Sequence, residues 1–99
     1  IMFCDLIKKP ELENENIKQV SLEKLLSESE IVSLHIPYNK NNHHLLDKAK
    51  LSLMGKQTIF INTSRGGLVD EEVLCNLLVE NKLRAACMDV FSQEPALNN

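Results

Sequence analysis

The sequence has no concentrated positive charge, no long apolar run and no cysteines at metal-ligand spacing. Its 11 Lys and Arg residues are interspersed with 14 Asp and Glu, for a net charge of −3. Without a basic patch, nucleic acid is not an expected partner. No apolar run approaches the roughly 20 residues that a membrane-spanning helix needs, so no membrane partner is expected either. The three cysteines, Cys4, Cys75 and Cys87, are odd in number and match no zinc motif. Cys75 and Cys87 lie in apolar segments and read as small buried thiols in a reducing compartment, which fits a cytoplasmic protein. His43-His44 has no partner at zinc-ligand spacing, so no metal is expected. No Ser/His/Asp constellation, G-x-S-x-G elbow or G-x-G-x-x-G loop occurs in the chain. An initiator methionine is lacking too. Ile1-Met2-Phe3-Cys4 reads as a strand already under way, without a signal or transit peptide, and suggests a fragment of a longer chain.

What is present is an alternation of apolar strands and amphipathic helices. The 99 residues are 43% hydrophobic and 25% charged, ordinary values for a globular domain or part of one. Residues 1–4 read as a strand, 8–16 as a polar loop around Pro10, and Val20 as part of a second short extended stretch. Ser21 looks like an N-cap, although a Lys stands where a capping box wants Glu or Gln, and Leu22, Leu25 and Leu26 give one helical face through about Glu28. Ile31-Val32-Ser33-Leu34-His35-Ile36 is a β-branched run stopped by Pro37. Residues 39–44 read as a polar loop and 47–54 as a short helix with Leu51 and Met54 inward. Thr58-Ile59-Phe60-Ile61-Asn62 is the next strand, 70–81 a helix capped by Asp70, and 83–90 the last strand. Strands apolar at nearly every position, separated by helices, predict a parallel sheet covered on both faces.

In open parallel sheets, ligands bind at the carboxyl ends of the strands, so the residues after each strand are the candidates. Asp5 follows the first. An acid there can accept hydrogen bonds from both adenosine ribose hydroxyls and repel a 2′-phosphate, favouring NAD over NADP; alone it also fits an ordinary turn aspartate. Thr63-Ser64-Arg65-Gly66-Gly67 follows a later strand. Its guanidinium suits a carboxylate, and its glycines let backbone approach a ligand; alone, Arg65 also fits a surface ion pair. Asp89 and then Glu94-Pro95 follow the last strand. A carboxylate at Glu94 could orient a histidine and raise its pKa, though Glu-Pro is also a common loop dipeptide. His35 ends a strand and reads as a hydrogen-bonded structural residue.

Together these residues resemble the D-isomer-specific 2-hydroxyacid dehydrogenase family. The likeness runs over nearly the whole chain and is strongest from Ser29 to Pro95. It rests on Ser29-Glu30 with the run to His35-Ile36-Pro37, on Asn42-His43-His44-Leu45-Leu46, on Ile61-Asn62-Thr63-Ser64-Arg65-Gly66-Gly67-Leu68-Val69-Asp70, and on Ala85-Ala86-Cys87-Met88-Asp89-Val90-Phe91-Ser92-Gln93-Glu94-Pro95. The resemblance implies an α/β fold, a three-layer Rossmann-like doubly wound parallel sheet, of which residues 1–99 form a partial NAD-binding domain. It implies an oxidoreductase moving hydride between NAD and a small 2-keto or 2-hydroxy acid, working as a homodimer through this domain. Arg65 would bind the substrate carboxylate and Glu94 would pair with the catalytic histidine. Asp5 would hold the adenosine ribose, Ile36 and Pro37 would flank the adenine with Asn42 nearby, Thr63 and Ser64 would touch the cofactor, and Asp89 would accept from the nicotinamide carboxamide. The family's glycine-rich loop, first strand, catalytic histidine and substrate domain have no counterpart in these residues. Met54-Gly55-Lys56-Gln57-Thr58 also departs from the family's usual turn. A NAD-sensing co-repressor that acts through partners, or a non-catalytic truncated remnant, are the alternatives. With the first strand missing, the sheet is expected to have a gap at its centre.

Overall fold

In the computed structural model, which describes residues 1–88, every strand pairing is parallel. β1 (Met2–Phe3) pairs with β2 (Lys18–Gln19), and Val20 extends the ladder by donating to the Phe3 carbonyl at 2.8 Å. A second sheet holds β3 (Ile31–Leu34), β4 (Ile59–Asn62) and β5 (Ala85–Met88), with β4 in the middle. Among the described residues no strand pairing joins the two sheets. This is the split that a doubly wound order produces when no strand lies between β1 and β3. Exposed apolar side chains mark the first sheet: Ile1, Leu6 and Ile7 are 86%, 104% and 69% exposed.

Each helix begins where a side chain can satisfy a free amide. α1 (Leu22–Glu28) starts at Ser21, whose Oγ accepts from Lys24 N at 3.2 Å in spite of the lysine in the box position. α2 (Lys48–Leu51) starts at Asp47, which accepts from Lys50 N at 3.0 Å. α3 (Glu71–Val79) starts at Asp70, with Glu71 and Glu72 at the positive end of its dipole. It stops at Asn81, which takes a left-handed φ of 58° while Lys82 N–H caps the Leu77 carbonyl at 2.9 Å. The polar loops are less irregular than expected, since 3-10 turns form at Pro10–Leu12 and Lys40–Asn42.

The core lies on one face of the larger sheet. Val32 and Leu34 of β3 and Phe60 of β4 are buried with Leu26 of α1, Leu51 of α2 and Leu74 and Leu77 of α3. Alternate strand residues point the other way, and there Ile31, Ser33 and Cys87 are exposed. Among the described residues one face of this sheet is covered by helices and the other is open. Runs apolar at every position signal two-sided burial, and the described helices, α1 to α3, supply the layer on one of those sides. The expectation of buried cysteines fails. Cys4, Cys75 and Cys87 are free but exposed: Cys75 is on the outer side of α3 and Cys87 on the open face of β5.

Candidate functional site

The loop after β4 carries Arg65, and Asn62 at the end of that strand shapes it. Phe60 points into the core, so Asn62, two residues on, points inward as well and is fully buried. A buried amide must find partners. Its Oδ1 accepts from Ser64 N at 3.0 Å, and its Nδ2 donates to the Arg65 carbonyl at 2.9 Å. Ser64 Oγ then donates to the Leu34 carbonyl at 2.8 Å, which ties the loop to the end of β3. Past Arg65 the chain winds into a 3-10 turn, Gly66–Leu68. His44 N–H donates to the Gly67 carbonyl at 2.8 Å, Leu46 N–H to Leu68 at 3.0 Å, and Asp70 N–H to Leu46 at 3.1 Å. The loops that leave β3 and β4 are thus stitched together, and Arg65 is held on both sides. Thr63 and Arg65 are exposed, and among the described residues no acidic side chain pairs with the guanidinium.

The segment after β3 joins the same site. Ile36 is half-buried against the core, whereas Pro37 is exposed. Asn42 spends its amide on the loop itself. Oδ1 accepts from Asn39 N at 2.7 Å and Nδ2 donates to the Pro37 carbonyl at 2.7 Å, so it sets the course of Pro37. His35 Nε2 and Ser33 Oγ share a hydrogen bond of 2.8 Å, in keeping with a structural role. Among the described residues no three His, Cys, Asp or Glu side chains converge as a metal site, and no helix is long and apolar enough to cross a membrane.

Asp5 belongs to a second centre at the end of β1. Its Oδ1 accepts from Ile7 N at 3.2 Å, and Lys9 Nζ stands 3.5 Å from Oδ2. The Ile7 hydrogen bond foremost, and then Lys9, hold the carboxyl below the usual carboxylate range. Gln19 of β2 braces this turn by accepting from Lys9 N at 2.8 Å and donating to the Ile7 carbonyl at 3.0 Å. Asp5, Gln19, Val20 and Ser21 line an open cleft of about 350 Å³. Next to it, partial desolvation followed by the Glu23 and Asp5 carboxylates raises the Cys4 thiol, so this cysteine is a poor nucleophile at neutral pH.

Of the site residues expected from sequence, the structure brings Ile36, Pro37, Asn42, Thr63, Ser64 and Arg65 together at the carboxyl ends of β3 and β4. Asp5 lies at the end of β1, and Asp89 and Glu94 lie outside the described residues. Sequence reasoning missed Asn62 and Gln19. The signal for Asn62 was available, because it is a polar residue at an inward position of an apolar strand. Gln19 left no such mark.

The model of the D-isomer-specific 2-hydroxyacid dehydrogenase NAD-binding domain matches residues 1–99. A glyoxylate reductase of Korarchaeum cryptofilum is 41% identical over 96 residues, covering 96% of this chain and 29% of that protein. A hydroxypyruvate reductase of Blautia hydrogenotrophica is 38% identical over 95 residues, covering 96% of this chain and 30% of that protein. A crystal structure of D-lactate dehydrogenase from Aquifex aeolicus complexed with NAD and lactic acid superposes with a TM-score of 0.86 at 35% identity, covering 93% of this chain and 28% of that one. The chain therefore spans under a third of the length of these relatives.

Proposed function

The chain belongs to the D-isomer-specific 2-hydroxyacid dehydrogenase family, as its NAD-binding domain, and on that premise we propose that it supplies the cofactor site and substrate anchor of a 2-keto acid reductase. The observation that carries the reading is Arg65, exposed on a loop fixed by Asn62, Leu34 and His44, with no acidic partner among the described residues. A buttressed guanidinium without a carboxylate of its own suits a substrate carboxylate, which it grips through two parallel hydrogen bonds. The same cation draws electron density from the neighbouring ketone and stabilises the oxyanion that forms.

The residues present fit NAD. The cleft at Asp5 is open, and its carboxylate is ionised and turned by Ile7 and Lys9 rather than buried, so it remains available to ribose hydroxyls. Asp5 would hold the adenosine ribose, Ile36 and Pro37 would flank the adenine, Thr63 and Ser64 would border the cofactor beside Arg65, and Asp89 would orient the carboxamide. NADH would supply the hydride when bound. Glu94 keeps a histidine from elsewhere in the parent enzyme protonated, and that histidine gives its proton to the ketone oxygen. The balance is one 2-oxo acid, one NADH and one proton to one 2-hydroxy acid, the D isomer where the product is chiral, and one NAD.

Glyoxylate and hydroxypyruvate are the proposed substrates, because relatives that align with nearly the whole chain reduce them by name. The test is a panel of 2-keto acids with NADH and the full enzyme, read as loss of nicotinamide absorbance. Turnover of glyoxylate or hydroxypyruvate supports the reading, and a panel without turnover overturns it.

A further inference from the structure

The second glycine of the arginine loop has an unusual reason to be glycine. Gly67 does not have a positive φ, so its backbone would accept alanine. What forbids a side chain is Tyr38, since a Cβ at Gly67 would lie 2.6 Å from Tyr38 Cε1 and 3.1 Å from Cδ1 and Cζ. The ring is 42% exposed and is tethered through its hydroxyl rather than packed in place. Its hydroxyl and His43 Nδ1 share a hydrogen bond of 2.6 Å. His43 stacks on His44 with ring centroids 4.0 Å apart. His44, in a left-handed φ of 49° uncommon for a non-glycine residue, returns its N–H to the Gly67 carbonyl at 2.8 Å. The circuit closes on itself: Tyr38 to His43, His43 to His44, His44 to Gly67, and Gly67 under the Tyr38 ring.

From this circuit we infer that Tyr38 is a positioning residue for Arg65. It presses on the backbone two residues past the arginine while Asn62 and Ser64 hold the side before it. Arg65 is then aimed by two independent braces, one buried and one at the surface. The inference rests on the proposed reading of Arg65 as the carboxylate anchor.

The experiment is a double-mutant cycle in the full enzyme with Tyr38→Ala, Gly67→Ala and both together, with Tyr38→Phe as the conservative variant. Kinetics with the 2-keto acid and with NADH are read beside amide exchange at His44. Gly67→Ala alone is expected to lower kcat/KM for the keto acid on the order of 10²-fold, as a misaimed anchor does, with KM for NADH held. Tyr38→Ala alone is expected to lower kcat/KM for the keto acid too, since the brace is lost, and adding Gly67→Ala to it is expected to do little more, because the ring it clashes with is gone. Tyr38→Phe keeps the ring and loses the hydroxyl; it should retain most activity and speed exchange at His44. Wild-type kcat/KM for the keto acid in Tyr38→Ala would overturn the inference, as would equal penalties for Gly67→Ala in both backgrounds or unchanged His44 exchange in Tyr38→Phe and Tyr38→Ala. If the wild type reduces no 2-keto acid, the functional reading fails on its own, and exchange at His44 still judges the circuit.

Discussion

Asn62 shows how much a single buried amide can organise. It stands two residues after Phe60 on the core side of β4, where an apolar residue is the usual occupant, and both ends of its amide are satisfied by the turn that follows. Asn62→Ala would leave the Ser64 amide and the Arg65 carbonyl without partners, at a cost of about 1–3 kcal/mol. A lower thermal midpoint together with a loss in kcat/KM is expected; a variant with the wild-type midpoint would show the brace to be idle. Asp5 makes a different kind of prediction. Its carboxyl pKa is lowered by Ile7 and then Lys9, so it is ionised at neutral and mildly acidic pH. A depressed folded value means that whatever it contributes is present above the unfolded carboxylate pKa, about 3.9, and is lost only as pH falls through the folded value. Asp5 should therefore stay ionised from pH 8 down to about pH 5, any narrowing of an NADH-over-NADPH preference in that window should follow the 2′-phosphate, whose second pKa is about 6, and Asp5→Ser should erase the preference throughout. The ratio of kcat/KM for the two cofactors against pH measures this. Arg65 stood out in the sequence through the long signature around it, since alone it also fits a surface ion pair. The second half of Asn42's story was not legible, since its amide partners, Asn39 N and the Pro37 carbonyl, depend on how the loop turns.

Helices in this chain are short, and their starts matter accordingly. α2 has four residues and a cap at 3.0 Å, whereas the Asp70 cap on α3 is long, at 3.4 Å. Asp47→Ala should cost about 1 kcal/mol and Asp70→Ala less. Amide exchange at Lys50 and Val73 separates the two, and a larger acceleration at Val73 would contradict the ranking. Element order and type followed from periodicity: the strand at Ile31, the strand at Ile59 and the helix after Asp70 all formed. Their ends did not follow, because the terminal residues belong to tertiary contacts. His35 and Ile36, expected in the strand, leave the β3 ladder, and Ile36 turns to pack against the core. Exposure of the cysteines also escaped the sequence, since Cys75 lies between buried Leu74 and Leu77 and only the helical turn separates them.

At the scale of the molecule, the two unjoined sheets decide the energetics. β1 and β2 form a two-residue ladder with an exposed fringe of Ile1, Leu6 and Ile7, too small to be stable by itself. The larger sheet has a core on one face and open residues on the other. These 99 residues alone should thus unfold over a broad range, with exchange at Val20 far faster than at Phe60, and bind NAD weakly. A sharp transition, or micromolar NAD binding by calorimetry, would count against this. On the proposed function, what the chain supplies is an arginine held in place, and that proposal has a direct measurement. Steady-state reduction of glyoxylate or hydroxypyruvate by the full enzyme is compared for wild type, Arg65→Lys and Arg65→Ala. The account predicts a loss of kcat/KM on the order of 10²–10³-fold for Arg65→Ala, as for other charged anchors removed from a preorganised site, with Arg65→Lys failing to restore it. Wild-type kcat/KM in Arg65→Ala, or full rescue by Arg65→Lys, would contradict it.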